Sequence, residues 1–485
     1  MDTGLLQTLE AAFHPKAIAI AGASENPFSF GYQFVRHLLD YNYPGHIYPV
    51  NPSKKFILGL RAYPSLTSIP AKIDYVICCI SAAKVPDLLA ECSTKGVKVF
   101  HLVTGRLSET GRQEAKELEA RILQVAKGLN IRLIGPNCMG IHYPGGGIAH
   151  SYDLSKEAGT IGAVFQSGGS STLLIRYGEL RGLRFSKVIS YGNALDLDES
   201  DLLYYLAHDN ETKIIAAYFE GVKDGKKFLD VLRDVAYAKP VIAIKGGRGT
   251  AGTRAVSSHT AAIAGSDIIW KTAFKEAGVV PARDLNELVD LLVAFSFLPP
   301  IKGNRVGLVS SGGGLSVISA DACEEAGLMV PPLSPDIREE LRKKTPEIWD
   351  WLGNPIDFSI TVGLAMHIEE IFKEIPRMLA KSPQFDFIIA EFSDDGPFSE
   401  KVWHNIAKGY IEAFINLSQE KSLPLIAVVD SEITGSAQLA HRRLKLLAEH
   451  RARLVDAHVP TYSTVAEAAR AIRKFIDYWQ AKAEA

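Results

Sequence analysis

Ala17-Ile18-Ala19-Ile20-Ala21-Gly22-Ala23-Ser24-Glu25-Asn26-Pro27 is a short apolar run that stops at a glycine and a polar turn. Beyond it, Phe30 to Asp40 repeats with helical spacing and carries Phe34, Val35, Leu38 and Leu39 to one side. Strand, glycine turn and helix in that order open a parallel α/β construction. The alternation continues, and it predicts strands at 46–51, 74–81, 98–104 and 131–134 with helices at 85–95 and 112–129. This is a doubly wound, nucleotide-type domain with its glycine turn after the first strand.

That turn holds only Gly22 and Gly31, so the G-x-G-x-x-G dinucleotide fingerprint is absent. The second strand ends Tyr48-Pro49-Val50-Asn51-Pro52-Ser53-Lys54, without the acid that would hold a ribose. Lys54 suits a phosphate better than a diol, and an NAD-linked dehydrogenase is disfavoured. Taken alone, Gly22 is equally well a plain strand-to-helix turn.

Ile134-Gly135-Pro136-Asn137-Cys138-Met139-Gly140 reads as a strand ending in a rigid turn, and the glycine-rich connection Pro144–Gly147 closes a first domain, 1–147. A second, 148–300, repeats the alternation with strands at 160–165, 186–192, 213–219 and 240–245. A third, 301–485, has strands at 305–309, 385–392, 424–430 and 459–462, and a closing amphipathic helix from Thr464 to about Lys482.

Composition bounds the function. The chain has 485 residues, 47% hydrophobic and 22% charged, which suits a soluble protein with sizeable cores. Lys and Arg number 53 against 55 Asp and Glu, so no basic stripe points to nucleic acid. The five cysteines, Cys78, Cys79, Cys92, Cys138 and Cys323, show neither metal-ligand spacing nor a disulfide framework. The amino terminus lacks the layout of a signal peptide, and no apolar run approaches the ~20 residues of a membrane span. A cytoplasmic protein with no metal site, nucleic acid or membrane partner is expected.

Two glycine–serine helix starts follow strands: Gln166-Ser167-Gly168-Gly169 and Ser311-Gly312-Gly313-Gly314. Such a start presents free backbone N–H groups and the positive end of the helix dipole, an anion cradle, although Ser-Gly also simply caps helices. Glu220 stands at the carboxyl end of a strand, the edge where open sheets bind ligands; a solvated loop acid has the same signature. His259 sits among small residues in Ser257-Ser258-His259-Thr260-Ala261, after a Gly/Ala/Thr-rich run that starts at Gly246. An amphipathic helix is expected at 266–278, with Ile268, Ile269, Ala273 and Phe274 on one face. An isolated histidine more often caps or packs beside such a helix. Taken together, however, these pieces serve one chemistry, phosphoryl transfer through phosphohistidine. Neutral imidazole is the nucleophile, a carboxylate holds its other nitrogen, and helix termini receive the phosphoryl oxygens.

The chain resembles the α subunit of the NDP-forming acyl-CoA synthetases, the acetate–CoA ligase (ADP-forming) family related to succinyl-CoA synthetase. The resemblance runs through Gly22-Ala23-Ser24, Tyr48-Pro49-Val50-Asn51-Pro52, Gly135-Pro136-Asn137-Cys138, Gln166-Ser167-Gly168 and Glu220-Gly221-Val222-Lys223-Asp224-Gly225. It continues through Ser258-His259-Thr260, Ala264-Gly265-Ser266-Asp267, Ser311-Gly312-Gly313-Gly314 and Asn354-Pro355-Ile356-Asp357.

It implies an α/β chain with a Rossmann-like CoA-binding domain followed by two flavodoxin-like CoA-ligase domains. The implied reaction is acyl-CoA + ADP + phosphate ⇌ acid + ATP + CoA through an acyl phosphate and phosphohistidine. By the same resemblance His259 carries the phosphate and Glu220 supports it. Gly22, Ala23, Ser24, Phe30, Gly31, Val50, Lys54, Asn137 and Cys138 contact coenzyme A, a substrate. Gln166–Gly169 and Ser311–Gly314 bind phosphate. ATP/ADP and Mg are expected on a separate ATP-grasp β subunit, in an α2β2 assembly, and Gly246–Ser258 is expected to be a flexible tether between the two stations.

Three stretches depart from the family pattern. Thr260-Ala261 stands where Thr-Gly is usual. Pro27-Phe28-Ser29-Phe30-Gly31 carries two aromatics in place of a lysine-containing turn. Leu102-Val103-Thr104-Gly105-Arg106-Leu107 replaces Ile-Ser-Ala-Gly-Phe near the acyl and CoA region. The alternative is a non-catalytic CoA-binding regulatory relative. The acid, the direction, ADP against GDP and the assembly stay open.

Overall fold

Short runs that are apolar on every residue become central strands buried on both faces, and they pair side by side into parallel sheets. The computed structural model describes residues 3–259, 266–310, 312–357, 368–392, 400–429 and 442–484. It divides into two compact units, Met1–Leu288 and Val289–Ala485.

In the first unit the strands are β1 (Ala17–Ala21), β2 (His46–Val50), β3 (Phe56–Ile57), β4 (Leu60–Arg61), β5 (Tyr75–Cys78), β6 (Val99–Leu102) and β7 (Arg132–Ile134). Five of them form a parallel sheet in the order β2-β1-β5-β6-β7, and β3 and β4 make a separate antiparallel hairpin. A second sheet follows with β8 (Gly140–His142), β9 (Ile161–Phe165), β10 (Phe185–Ser190), β11 (Ile214–Phe219), β12 (Val241–Lys245) and β13 (Val280–Ala282). Its order is β13-β12-β11-β9-β10-β8, parallel except that β8 runs antiparallel to β10.

Residues 140–142, read from the sequence as lying beyond a strand-ending turn, thus form an edge strand of the second sheet. Arg132 at the start of β7 pairs with Asp196 at 2.8 Å and Asp201 at 3.4 Å, and Leu195 N donates to Gly135 O at 2.9 Å. These bonds tie the two sheets of this unit together.

The second unit holds β14 (Val306–Ser310), β15 (Ile356–Asp357), β16 (Phe387–Phe392), β17 (Leu425–Val429) and β18 (Thr461–Tyr462), all parallel, in the order β15-β14-β16-β17-β18. Asn354 explains one motif: its Oδ1 accepts from Leu308 N at 2.8 Å and its Nδ2 donates to Val306 O and Pro331 O. The closing helix, Val465–Glu484, buries Ala468, Ala471, Ile472, Phe475 and Ile476.

Two expectations are corrected. The run from Gly246, read as a flexible tether, is a helix over Thr250–His259. Gly247 (φ +72°) makes the turn and Gly252 packs where an added Cβ would lie 3.0 Å from the Gly247 Cα. Ala251, Ala255 and the buried Val256 then supply ordinary helix-forming and core contacts. In the next helix, Asp267–Ala277, the buried face is Trp270, Phe274 and Ala277, while Ile268 and Ile269 are 70% and 65% exposed. Trp270 and Phe274 take the core because Trp270 stacks on Phe219 and packs against Phe228, and Phe274 packs against Phe219.

The first unit also buries four imidazoles, His37, His101, His142 and His150. Desolvation holds His37 and His101 down to about 4 and His142 to about 3, and His150 well below the ordinary value. Neighbouring histidines deepen the depression at His142 and His150, and Asp40 opposes it at His37. Unfolded imidazoles protonate near 6.5 while the native ones stay neutral, so stability is whole above about 6.5 and falls as the pH drops from there toward about 4. Urea melts at pH 7 and pH 5 should show a loss on the order of a few kcal/mol. His142→Leu, which removes a ring with both nitrogens unbonded, should flatten that slope.

Candidate active site

In doubly wound sheets the strand order reverses at one point, and ligands gather at the carboxyl ends of the strands there. The reversal lies between β1 and β5 in the first sheet and between β9 and β11 in the second. The residues following those four strands are Gly22, Cys79, Gln166 and Glu220, and all but Cys79 were singled out in the sequence.

Gly22 takes φ +86°, and its N–H donates to Val50 O at 3.2 Å. Gly31, at the start of the helix Phe30–Asp40, packs against it so closely that a Cβ would lie 1.9 Å from the Gly22 carbonyl oxygen. Only glycine admits this approach. Ser29 caps that helix by accepting from Tyr32 N at 3.2 Å. Phe28, by contrast, is 97% exposed. Asn51 joins the neighbouring strand end to the turn, donating to Ala23 O and accepting from the Lys54 N–H. Lys54 itself pairs with Glu25 at 2.8 Å; an exposed pair of this kind is worth at most about 1 kcal/mol, so it yields readily to a phosphate.

A cavity of about 680 Å³ is lined by residues of both sheets in this unit. From the first come Phe30, Ile80, Val103–Arg106, Glu109 and Asn137–Met139, and from the second Gln166–Gly169. Among the expected CoA contacts, Phe30, Asn137 and Cys138 line it; Gly22, Ala23, Ser24, Gly31, Val50 and Lys54 belong to the glycine turn and the strand end beside it. The Cys138 thiol, pushed up to about 12 by burial, is neutral packing rather than a nucleophile.

On the second sheet Ser167 caps the helix Gly168–Glu179 by accepting from Ser170 N. Gly168 allows the helix start to meet Met139, whose Cγ would lie 2.6 Å from an added Cβ. Gln166, buried, accepts through Oε1 from Glu220 N at 2.7 Å and Gly221 N at 3.3 Å. Glu220, also buried, accepts from Tyr218 Oη at 3.3 Å. Asp224 caps the helix Gly225–Ala238 that follows. The Glu220–Gly225 motif is therefore a strand end, a turn and a cap.

His259 closes its helix, and its side chain lies outside the described residues, as does the following Thr260. Ser311 is likewise outside. Gly312 caps the helix Gly313–Glu325 in the second unit without a side-chain bond.

Three residues were not singled out in the sequence. Lys245 ends β12, buried; its Nζ donates to Glu220 O at 2.9 Å and to Gly246 O, 5.1 Å from the centre of the Trp270 ring. Desolvation pushes its pKa down to about 8 against the pull of Glu220 and Asp267. Asn193 donates to Glu109 at 3.1 Å and, through its backbone, to Pro136 O at 3.0 Å. A usable signal for it was Gly192, at φ +59°, where a Cβ would meet Pro136 O at 2.2 Å. Glu109 lies in a single 3-10 turn, Ser108–Thr110, whose sequence pattern shows nothing unusual.

The Gln166 bridge can be tested on stability alone. Gln166→Leu removes the side-chain acceptor of two buried amides and should cost about 2 kcal/mol or more, read as a lower Tm. Gln166→Glu keeps the acceptor and should lose less; equal losses would remove the bridge from the account.

Residues 16–144 match the family described as CoA binding domain, and residues 158–295 match the succinyl-CoA ligase like flavodoxin domain. The chain is 36% identical over 382 residues to acetate–CoA ligase [ADP-forming] II subunit alpha of Pyrococcus furiosus, covering 79% of this chain and 82% of that one. It is 38% identical over 345 residues to acetate–CoA ligase [ADP-forming] of Methanocaldococcus jannaschii, and there the match spans 71% of this chain but only 48%, about half, of the relative. Among solved structures, acetyl-coenzyme A synthetase 1 of Ca. Korarchaeum cryptofilum, in complex with phosphate and ADP, superposes with a TM-score of 0.82 at 29% identity over 98% of this chain and 97% of that one. On matches of this identity and extent, this chain belongs to the family of ADP-forming acetate–CoA ligases and their α subunits.

Proposed function

We propose that the chain is the α subunit of an NDP-forming acid–CoA ligase, catalysing acyl-CoA + ADP + phosphate ⇌ carboxylic acid + ATP + CoA. The observation that carries this reading is the cavity that joins the Asn137–Cys138 turn and Phe30, on the coenzyme A side, to the Gln166–Gly169 helix start. Thioester and phosphate would meet there. An oxygen of phosphate attacks the thioester carbonyl, the C–S bond breaks, and the sulfur leaves as thiolate and is protonated to free CoA. An imidazole nitrogen of His259 then attacks the phosphorus of the acyl phosphate, and the acid leaves as carboxylate. Glu220 holds the other ring nitrogen and offsets the positive charge that develops. Backbone amides of the helix start Ser167–Gly169 receive the phosphoryl oxygens.

Coenzyme A is held, in this reading, by Gly22, Ala23, Ser24, Phe30, Gly31, Val50 and Lys54 with Asn137 and Cys138. The close approach of Gly31 to Gly22 leaves that turn without side-chain bulk, as a pantetheine or phosphate lying across backbone requires. The nucleotide and its Mg belong to an ATP-grasp β subunit in an α2β2 assembly. The α-subunit naming of the Pyrococcus relative supports a separate partner.

The test is protein labelling. Incubated with the ATP-grasp subunit of its own organism and γ-labelled ATP, the wild-type chain should take up acid-labile, base-stable phosphate, and His259→Ala should take up none. Label on the alanine variant would overturn the assignment, and an unlabelled wild type would leave a CoA-binding regulatory protein. Glu220→Gln should slow uptake by about tenfold to a hundredfold while CoA affinity stays unchanged.

A further inference from the structure

The cavity wall contains one feature that the chemistry above does not use. Of the described residues lining it, only Arg106 and Glu109 carry charge. Both Glu109 oxygens are committed: Oε1 accepts from Arg106 N, and Oε2 accepts from Leu107 N at 3.0 Å and Asn193 Nδ2 at 3.1 Å. The Arg106 guanidinium is exposed, and no hydrogen bond or ion pair joins it to a described residue.

Arg106 also sits at φ +68°. A residue with a Cβ pays about 1–2 kcal/mol for that left-handed conformation. Strain of this kind persists where the surroundings fix it, and it clusters at functional sites. Here the Glu109 carboxylate fixes it, by gripping the amides of Arg106 and Leu107. The result turns a long cation out of the β6 end onto the cavity, immediately after Gly105. The wall also presents the apolar side chains of Phe30, Ile80, Val103 and Met139, interspersed with the polar Ser81, Thr104 and Asn137. An alkyl chain with an anion at its far end matches that lining, because a guanidinium recognises carboxylate through two parallel hydrogen bonds.

We propose that Arg106 is a specificity-determining residue that receives a second anionic group on the acyl substrate, so that the ligase activity proposed above favours dicarboxylic over monocarboxylic acids of equal length. This rests on the preceding reading of the cavity as the acyl-transfer site. The same cation could instead meet an anion from the reaction itself, the phosphoryl group or a CoA phosphate, and the experiment separates these sources.

Butyryl-CoA and succinyl-CoA share a four-carbon acyl chain and differ in one terminal carboxylate. The assay follows transfer of labelled inorganic phosphate to the protein, in complex with its ATP-grasp subunit, from each thioester. Wild type should favour succinyl-CoA in kcat/KM by about tenfold or more, the worth of one charged hydrogen-bonded pair. Arg106→Gln should lose that preference through the succinyl-CoA rate alone, with butyryl-CoA changed by less than about twofold, and Arg106→Lys should keep part of it. A wild type that labels equally well from both thioesters would overturn the proposal and leave the ligase reading standing. So would an Arg106→Gln variant that slows both alike or raises KM for phosphate or CoA. A wild type labelled by no thioester would sink both readings.

Discussion

The side-chain carbonyl of Gln166 is the joint on which the second sheet's active edge depends. It sits at the end of β9 and takes the first two amide protons beyond β11, those of Glu220 and Gly221. Backbone pairing reaches Tyr218 O, bonded by Gln166 N, on one side and Phe219 O, bonded by Gly246 N, on the other, and the amides of Glu220 and Gly221 go to the glutamine side chain. A buried amide without an acceptor is costly, so the glutamine side chain effectively extends the sheet by one residue. It fixes the backbone from which the Glu220 carboxylate projects, and Lys245 grips the carbonyl of the same residue from the β12 side. Glu220 is thus held by both its amide and its carbonyl.

Around that joint the first unit is assembled from two reversal points rather than one. The chain leaves β7, turns through Gly135–Met139, and enters the other sheet as β8. The turn is clamped from the far side by the amides of Asn193 and Leu195, bonded to Pro136 O and Gly135 O. Met139 meets Gly168 across the gap. The carboxyl-end edges of the two sheets, the coenzyme and phosphate sides of the proposed reading, are therefore positioned by short contacts, most of them through backbone. Near-attack placement of two reactants demands this kind of rigidity.

Much of this was legible in the chain. Apolar runs such as Ala17–Ala21 and Ile161–Phe165 announced their strands because parallel strands buried on both faces tolerate little else. Gln166, Ser167, Gly168 and Glu220 stood out because they follow such runs directly. Arg106 was visible only as a departure from family habit, and its significance lies in Glu109 three residues on, a contact no periodicity encodes. Lys245 was hidden for the opposite reason: a lysine ending a strand reads as solvated, and only the fold shows it buried over Trp270. The run from Gly246 misled because its glycines and threonines suggest a loose segment. Two of those glycines pack on each other instead and let a short helix begin.

The third sheet repeats the order of the second: β15-β14-β16-β17-β18 corresponds strand for strand to β10-β9-β11-β12-β13. It also repeats the pairing of a glycine helix start with an acid on the adjacent strand, Gly312–Gly314 with Glu391. The bonding is reversed, however. Ser310 and Ser319 donate their hydroxyls to Glu391 Oε2 at 2.7 and 3.1 Å, whereas Gln166 holds Glu220 through the backbone amide. A carboxylate anchored through its own oxygen has acceptor sites committed to structure. One anchored through its amide is placed with that bond costing it no carboxylate acceptor. The same topology therefore holds its acid in two ways: Glu391 by the hydroxyls of Ser310 and Ser319 on one carboxylate oxygen, Glu220 by its amide on Gln166 as well as by Tyr218 Oη on its carboxylate.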